Sequence, residues 1–282
     1  MSNFNFVKNG NWGDYLLIES DRLTETLNYI KENQVKNVEL NLYHGYKLKD
    51  ISFLTELKTH IEGLNVIQGD IDLTGIEELS NLRMLNIADE RNLSIDFSTF
   101  KFLERCSILW NKNLRALSAC KKLRELLIKK INLKDEGAVE QLKGLESIEK
   151  LTLIQSKFVN IDYIEFFPRL KEFEIYYSIT LKNIKGLKFC QETLEKLVFD
   201  HCNNIDDYNA ISLLKKIKYL GINDAGKMPS LNFIKDLTGL KHLSFVGTNV
   251  LDGDMSYCIG IDYVGFDNKK HYSHKLEEIR NN

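Results

Sequence analysis

The sequence predicts an α/β solenoid of about eleven short coils, and three observations carry that prediction. An apolar pattern of fixed spacing recurs through most of the chain. Each recurrence is followed by a polar turn and a second apolar series. With only two prolines in 282 residues and no Gly/Ser-rich linker, nothing divides the chain, and one domain is expected.

The pattern is an apolar residue, two free positions, an apolar residue, one free position and an apolar residue. It occurs at Val35/Val38/Leu40, Ile61/Leu64/Val66, Leu82/Leu85/Ile87, Leu103/Cys106/Ile108, Leu123/Leu126/Ile128 and Ile148/Leu151/Leu153. It continues at Leu170/Phe173/Ile175, Leu194/Leu197/Phe199, Ile217/Leu220/Ile222, Leu240/Leu243/Phe245 and Ile261/Val264/Phe266. First anchors stand 20 to 26 residues apart, a period typical of stacked repeats. The second and third anchors alternate with period two, as in a short strand. The series that follow, such as LTGIEELSNL, IDYIEFFPRL and LNFIKDLTGL, read as one or two helical turns. A unit this small cannot bury its apolar side alone, so its neighbours must cover it.

On these residues the chain resembles leucine-rich repeat proteins, most closely the bacterial internalin-like and SDS22-like subclasses, over residues 35–266. The resemblance implies an arc with a parallel concave β-sheet and short helical or 3-10 convex segments. It implies no activity. The position at which the family carries a buried Asn varies here: Tyr43, Gly69, Glu90, Asn111, Ile131, Ser156, Ser178, Cys202, Ala225, Thr248 and Lys269. The internal Asn ladder is therefore mostly missing, and irregular coils are expected.

Residues 1–34 depart from the repeat. FNFV, the turn KNGNWG and DYLLIES suggest a hairpin, and SDRLTETLNYIKENQ reads as a helix with a Ser/Asp cap and apolar residues at Leu23, Leu27 and Ile30. Together they are expected to cap the first coil, whose sheet edge is otherwise open. Residues 267–282 form a C-terminal cap or a solvated tail.

Composition excludes several classes. A net charge of −2, from 38 basic and 40 acidic residues, supplies no field for nucleic acid or an anionic membrane. The N-terminus has no signal-peptide pattern, and no apolar run reaches the ~20 residues that span a bilayer. Five cysteines without a CxxC pair point to reduced core thiols in a cytoplasmic protein. No P-loop, GxGxxG or HExxH motif occurs, and no cofactor is expected.

Within each strand the non-anchor residues face away from the core, so equivalent positions in successive coils form columns. The column before the second anchor reads Arg105, Glu125, Lys150, Glu172 and Lys196 in its middle, alternating in sign as an ion ladder does. It ends in Tyr219, His242 and Tyr263, whose role is open between stacking and partner contact. Apolar and aromatic residues gather in the middle coils: Leu109, Trp110, Leu127, Ile154, Tyr176 and Tyr177. Glu174, Asp200, His201, Asn223 and Asp224 follow as a polar, acidic stretch. Grouped Trp and Tyr on a solvated sheet face mark the centre of an interface.

The triplet Asp200-His201-Cys202 raises metal binding and nucleophilic catalysis. Repeat register divides it: Cys202 falls in the core, while Asp200 and His201 fall in two columns of the exposed face. The pair His271/His274 in HYSH lacks the accompanying donors of a known metal motif and reads as a solvated tail. The chain is therefore read as a non-catalytic protein-binding module without a metal site. Its partner contacts are Leu109, Trp110, Leu127, Ile154, Glu174, Tyr176, Tyr177, Asp200, His201 and Asp224, and the acidic stretch suits a protein with a basic patch. An immunity protein that neutralises a bacterial toxin is one setting; a cytoplasmic scaffold or regulatory adaptor is the alternative, and an enzyme or enzyme subunit the remote one.

Overall fold

The repeat anchors form the core. In the computed structural model, which describes residues 4–8, 13–67, 70–88, 91 and 93–280, every anchor is buried except Val35 and Ile261. Those two are the first anchors of the first and last coils, where stacking neighbours end. The chain divides into two compact units, Met1–Ile128 with Glu140–Leu145, and Lys129–Val139 with Glu146–Asn282.

In the first unit, β1 (Phe6–Lys8) and β2 (Asp14–Leu17) form the expected antiparallel hairpin, with Val7 opposite Tyr15. Residues 9–12 of its turn lie outside the described residues. β2 then pairs in parallel with β3 (Asn37–Asn41), so the hairpin covers the edge of the first repeat strand. The helix Leu23–Asn33 buries Thr26, Leu27 and Ile30. Thr26, not Leu23, fills the third core position, its hydroxyl donating to Arg22 O at 2.9 Å. Ser20 does not cap this helix; its Oγ accepts from the Lys47 N–H at 2.7 Å and ties the cap to the first coil.

β4 (Gly63–Ile67), β5 (Met84–Ala88), β6 (Arg105–Leu109) and β7 (Glu125–Lys129) repeat the β3 element, with second anchors aligned as Val38, Leu64, Leu85 and Cys106. Arg105 and Glu125 form the expected ion pair at 3.0 Å. Beside it, buried Glu39 accepts from Asn65 at 2.6 Å and from Asn41 at 2.8 Å, and Asn65 accepts from Asn86 at 2.6 Å. A carboxylate buried on a sheet face is tolerated here because amide donors satisfy it.

The second unit stacks β8 (Lys150–Ile154), β9 (Glu172–Tyr176), β10 (Lys196–Asp200), β11 (Tyr219–Asn223), β12 (His242–Ser244) and β13 (Tyr263–Gly265) in parallel register. The ion ladder continues with Lys150–Glu172 at 3.0 Å, but Lys196 turns to Glu174 at 2.7 Å. The free face of Lys196 lies over Tyr219, 5.1 Å from the ring centroid. Tyr219, His242 and Tyr263 stack on one another at 4.0 and 4.2 Å, and Arg280 closes the column 5.4 Å from the Tyr263 ring. Each ring face is used by a neighbour, which resolves this column as structural stacking.

The C-terminal segment is a cap, correcting the expectation of a solvated tail for HYSH. The His271 Nε2 lies 2.9 Å from Val250 O, and the Tyr272 hydroxyl accepts from the Val250 N–H at 3.0 Å. The helix Leu276–Arg280 buries Ile279, and Arg280 donates to Val264 O of the last strand at 2.9 Å. These contacts occupy an edge that otherwise exposes unpaired backbone groups.

The stack has a pH consequence. Burial, reinforced by the Lys196 charge, holds His242 below its ordinary 6.5. A depressed histidine contributes stability above its unfolded value and loses it as pH falls towards the folded value. The melting temperature of His242→Phe is therefore expected to fall less steeply than wild type between about pH 7 and pH 5, measured by thermal unfolding in matched buffers. Parallel curves for the two proteins would contradict this.

Candidate functional site

The site grows from one backbone feature of the second unit. Directly after the strands, Lys130, Gln155, Tyr177, His201 and Asp224 all adopt positive φ, between 46° and 61°, and Gly247 follows at 73°. The amide of each of the five non-glycine residues donates to a carbonyl of the next coil, at 2.8 to 3.1 Å, for instance Tyr177 to Asp200 O and His201 to Asn223 O. The left-handed conformation costs a residue with a Cβ on the order of 1–3 kcal/mol and persists only where its surroundings over-determine it. Here the coil-to-coil bonds impose it. The result is a column of side chains projected at the strand ends.

Within that column the Tyr177 and His201 rings stack at 4.4 Å. His201 Nδ1 meets Asp200 Oδ1 at 2.5 Å and stands 4.0 Å from Asp224 Oδ2. Tyr177 is 49% exposed, which makes it the most accessible aromatic of the cluster. Neither Asp200 nor Asp224 has a lysine or arginine partner among the described residues. The carboxylate of Asp224 lies where a side chain at Gly247 would project: a Cβ there would come within 2.1 Å of Oδ1.

One strand position inward, Tyr176 is half-buried and donates from its hydroxyl to Glu174 Oε2 at 3.2 Å. Glu174 is buried, not open as the sequence suggests, because Lys150 and Lys196 close over it at 3.6 and 2.7 Å. Burial opposes its charge, but the hydrogen bond from Lys196 and the two ammonium charges outweigh that and hold its carboxyl low. Burial, with Glu174 adding to it, pushes the Tyr176 phenol up, so the hydroxyl stays a donor.

The remaining expected contacts divide. Ile154 is half-exposed in the second unit, and Leu109 and Leu127 are half-exposed in the first. Trp110 is corrected: it is only 6% exposed and cannot serve as a surface anchor. The backbone explains it, because Trp110 occupies the strand-end column without the positive φ found at Tyr177 and His201. Tyr43, placed by the sequence at a buried position, is instead 76% exposed, while Asn41 is buried.

The nucleophile reading of the triplet fails on geometry. Cys202 is fully buried and its thiol donates to Ile175 O at 3.7 Å and Asp200 O at 3.5 Å, away from the imidazole. Burial pushes that thiol up to about 11, so it stays protonated at neutral pH. All five cysteines are free and buried.

No family model and no curated protein matches the chain. Solved structures do. An internalin (InlF) of Listeria monocytogenes is 15% identical, with 91% of this chain and 86% of that one covered and a TM-score of 0.52. The leucine-rich repeat domain of the type III effector XopL is 17% identical, with 90% and 84% covered and a TM-score of 0.52. The mouse RP105/MD-1 complex supplies a match at 18% identity, 82% and 49% coverage and a TM-score of 0.54. The fold is that of leucine-rich repeat proteins, with internalins among its structural neighbours.

Two substitutions test the construction. Gly247→Ala adds a Cβ against Asp224 at a left-handed position and is expected to cost about 1–3 kcal/mol, read as a lower urea midpoint. Cys202→Ser places a hydroxyl where the acceptors stand at sulfur distances. It is expected to lower stability by about 1–3 kcal/mol in the same measurement. An unchanged midpoint for either variant would contradict the packing described.

Proposed function

We propose that this protein is a non-catalytic binding module that captures a protein partner carrying a basic patch, using the exposed sheet face and strand-end column of its second unit. The observation that carries the reading is the pair of carboxylates, Asp200 and Asp224, which share His201 but have no lysine or arginine partner among the described residues, beside the exposed ring of Tyr177. Tyr177 supplies a rigid apolar anchor, Tyr176 and Ile154 its apolar border, and Asp200, His201 and Asp224 the polar selection. Guanidinium groups suit such a surface, since they stack on aromatic faces and bond carboxylates through paired donors. Fold neighbours support the general class: RP105 is found in complex with MD-1. The setting we propose is the bacterial cytoplasm, with neutralisation of a toxin as the role such a surface would serve.

Affinity capture from native lysate, with mass spectrometry, tests the reading. Tyr177→Asn combined with Asp200→Asn is expected to reduce recovery of the wild-type partner at least tenfold at an unchanged melting temperature. Asparagine is chosen at position 177 because it tolerates the left-handed backbone. Capture is performed in EDTA, and raising the salt concentration is expected to slow association. Equal recovery by the double variant would remove this face as the interface. Co-expression with the captured partner then separates immunity, which restores growth, from a scaffold role, which does not.

A further inference from the structure

The strand-end column also assembles a donor set for a metal ion. Three ligand atoms, one each from Asp200, His201 and Asp224, lie within 4.8 Å of one another. The residues come from two successive coils, and the thiol of Cys202 is turned away into the core. We propose that Asp200, His201 and Asp224 bind one divalent ion of the zinc type, through His201 Nδ1 and one oxygen of each carboxylate.

Three features support this assignment. The first is satisfaction: Nδ1 contacts Asp200 at 2.5 Å, whereas Asp224 Oδ2 at 4.0 Å lies beyond hydrogen-bond reach. One proton on Nδ1 serves one carboxylate, while an ion in its place serves both. The second is size, since zinc bonds to nitrogen and oxygen run about 2.0–2.2 Å. Donors around one ion therefore stand roughly 3–4 Å apart. Small side-chain rotations, opening the 2.5 Å contact and closing the 4.0 Å one, bring these three to that spacing.

The third feature is chemistry: one imidazole nitrogen with two carboxylates suits zinc-type ions, whereas magnesium and calcium favour all-oxygen sets. The donors are also held in place. His201 rests on Tyr177 at 4.4 Å, and Asp224 occupies the space that a side chain at position 247 would fill. Their partial exposure leaves the other coordination positions to water or to a donor from elsewhere. The ion would take the Nδ1 lone pair of a neutral imidazole whose proton sits on Nε2, and because an imidazolium must first lose a proton, binding weakens in acid. The ion would share Asp200, His201 and Asp224 with the proposed partner face, but its binding is tested on the purified chain with no partner present.

The test is isothermal titration of the purified chain with zinc chloride at pH 7.5, after removal of EDTA. One saturable site is expected. His201→Asn and Asp224→Asn, both compatible with the left-handed backbone, are each expected to weaken it at least tenfold. The variant His271→Gln/His274→Gln, altered in the C-terminal cap, is expected to bind as wild type. Unchanged affinity in the Asn variants, loss of binding in the cap variant, or equal binding of magnesium would each overturn the assignment. Imidazole NMR of the wild-type chain gives a readout that needs no variant. His201 resonances are expected to shift on zinc addition, and a spectrum in which only other histidines move would also overturn it.

Discussion

The parallel backbone bonds that pass from coil to coil determine both the core and the candidate site. At the strand they align the anchors, so that Leu151, Phe173, Leu197, Leu220 and Leu243 lie in one buried row. At the strand end the same bonding continues one residue further, and the chain can make it only by turning left-handed. Tyr177, His201 and Asp224 are thereby projected as neighbours although they stand more than twenty residues apart. The strain at these residues is the local cost of keeping register while the chain leaves the sheet.

Burial then sorts carboxylates that look equivalent in sequence. Glu174 and Asp200 both lie on the exposed side of neighbouring strands. Two lysines close over Glu174 and keep it charged, which makes it part of the structural ion network. Asp200 and Asp224 have only the imidazole of His201 between them. These two carboxylates at the strand ends therefore have no lysine or arginine partner among the described residues. Aromatic rings pair on the same face: Tyr219 and Tyr263 stack on the two sides of His242, and Tyr177 stacks on His201.

A second ladder shows what column reading can miss. One residue before the sign-alternating column, Lys36–Glu62 at 3.7 Å and Arg83–Glu104 at 2.6 Å pair in the first unit. Glu149–Lys171 at 2.8 Å and Glu195–Lys218 at 2.6 Å pair in the second. The signal was available in the order Lys36, Glu62, Arg83, Glu104, but it falls outside the strands proper. Exposed pairs of this kind contribute little each, about 0–1 kcal/mol. They reinforce register more than they add stability.

The sequence by itself determined the repeat, its period, the buried anchors, the N-terminal hairpin and helix, and the core place of Cys202. It could do so because a strand alternates with period two and a short coil must hide its apolar side, constraints local enough to read from spacing. Only the tertiary structure decided that Trp110 is buried, that Glu174 is enclosed by Lys150 and Lys196, and that HYSH closes the last coil. Those outcomes depend on the sign of φ at a strand end and on contacts between coils. Neither is encoded in the residue spacing within a coil.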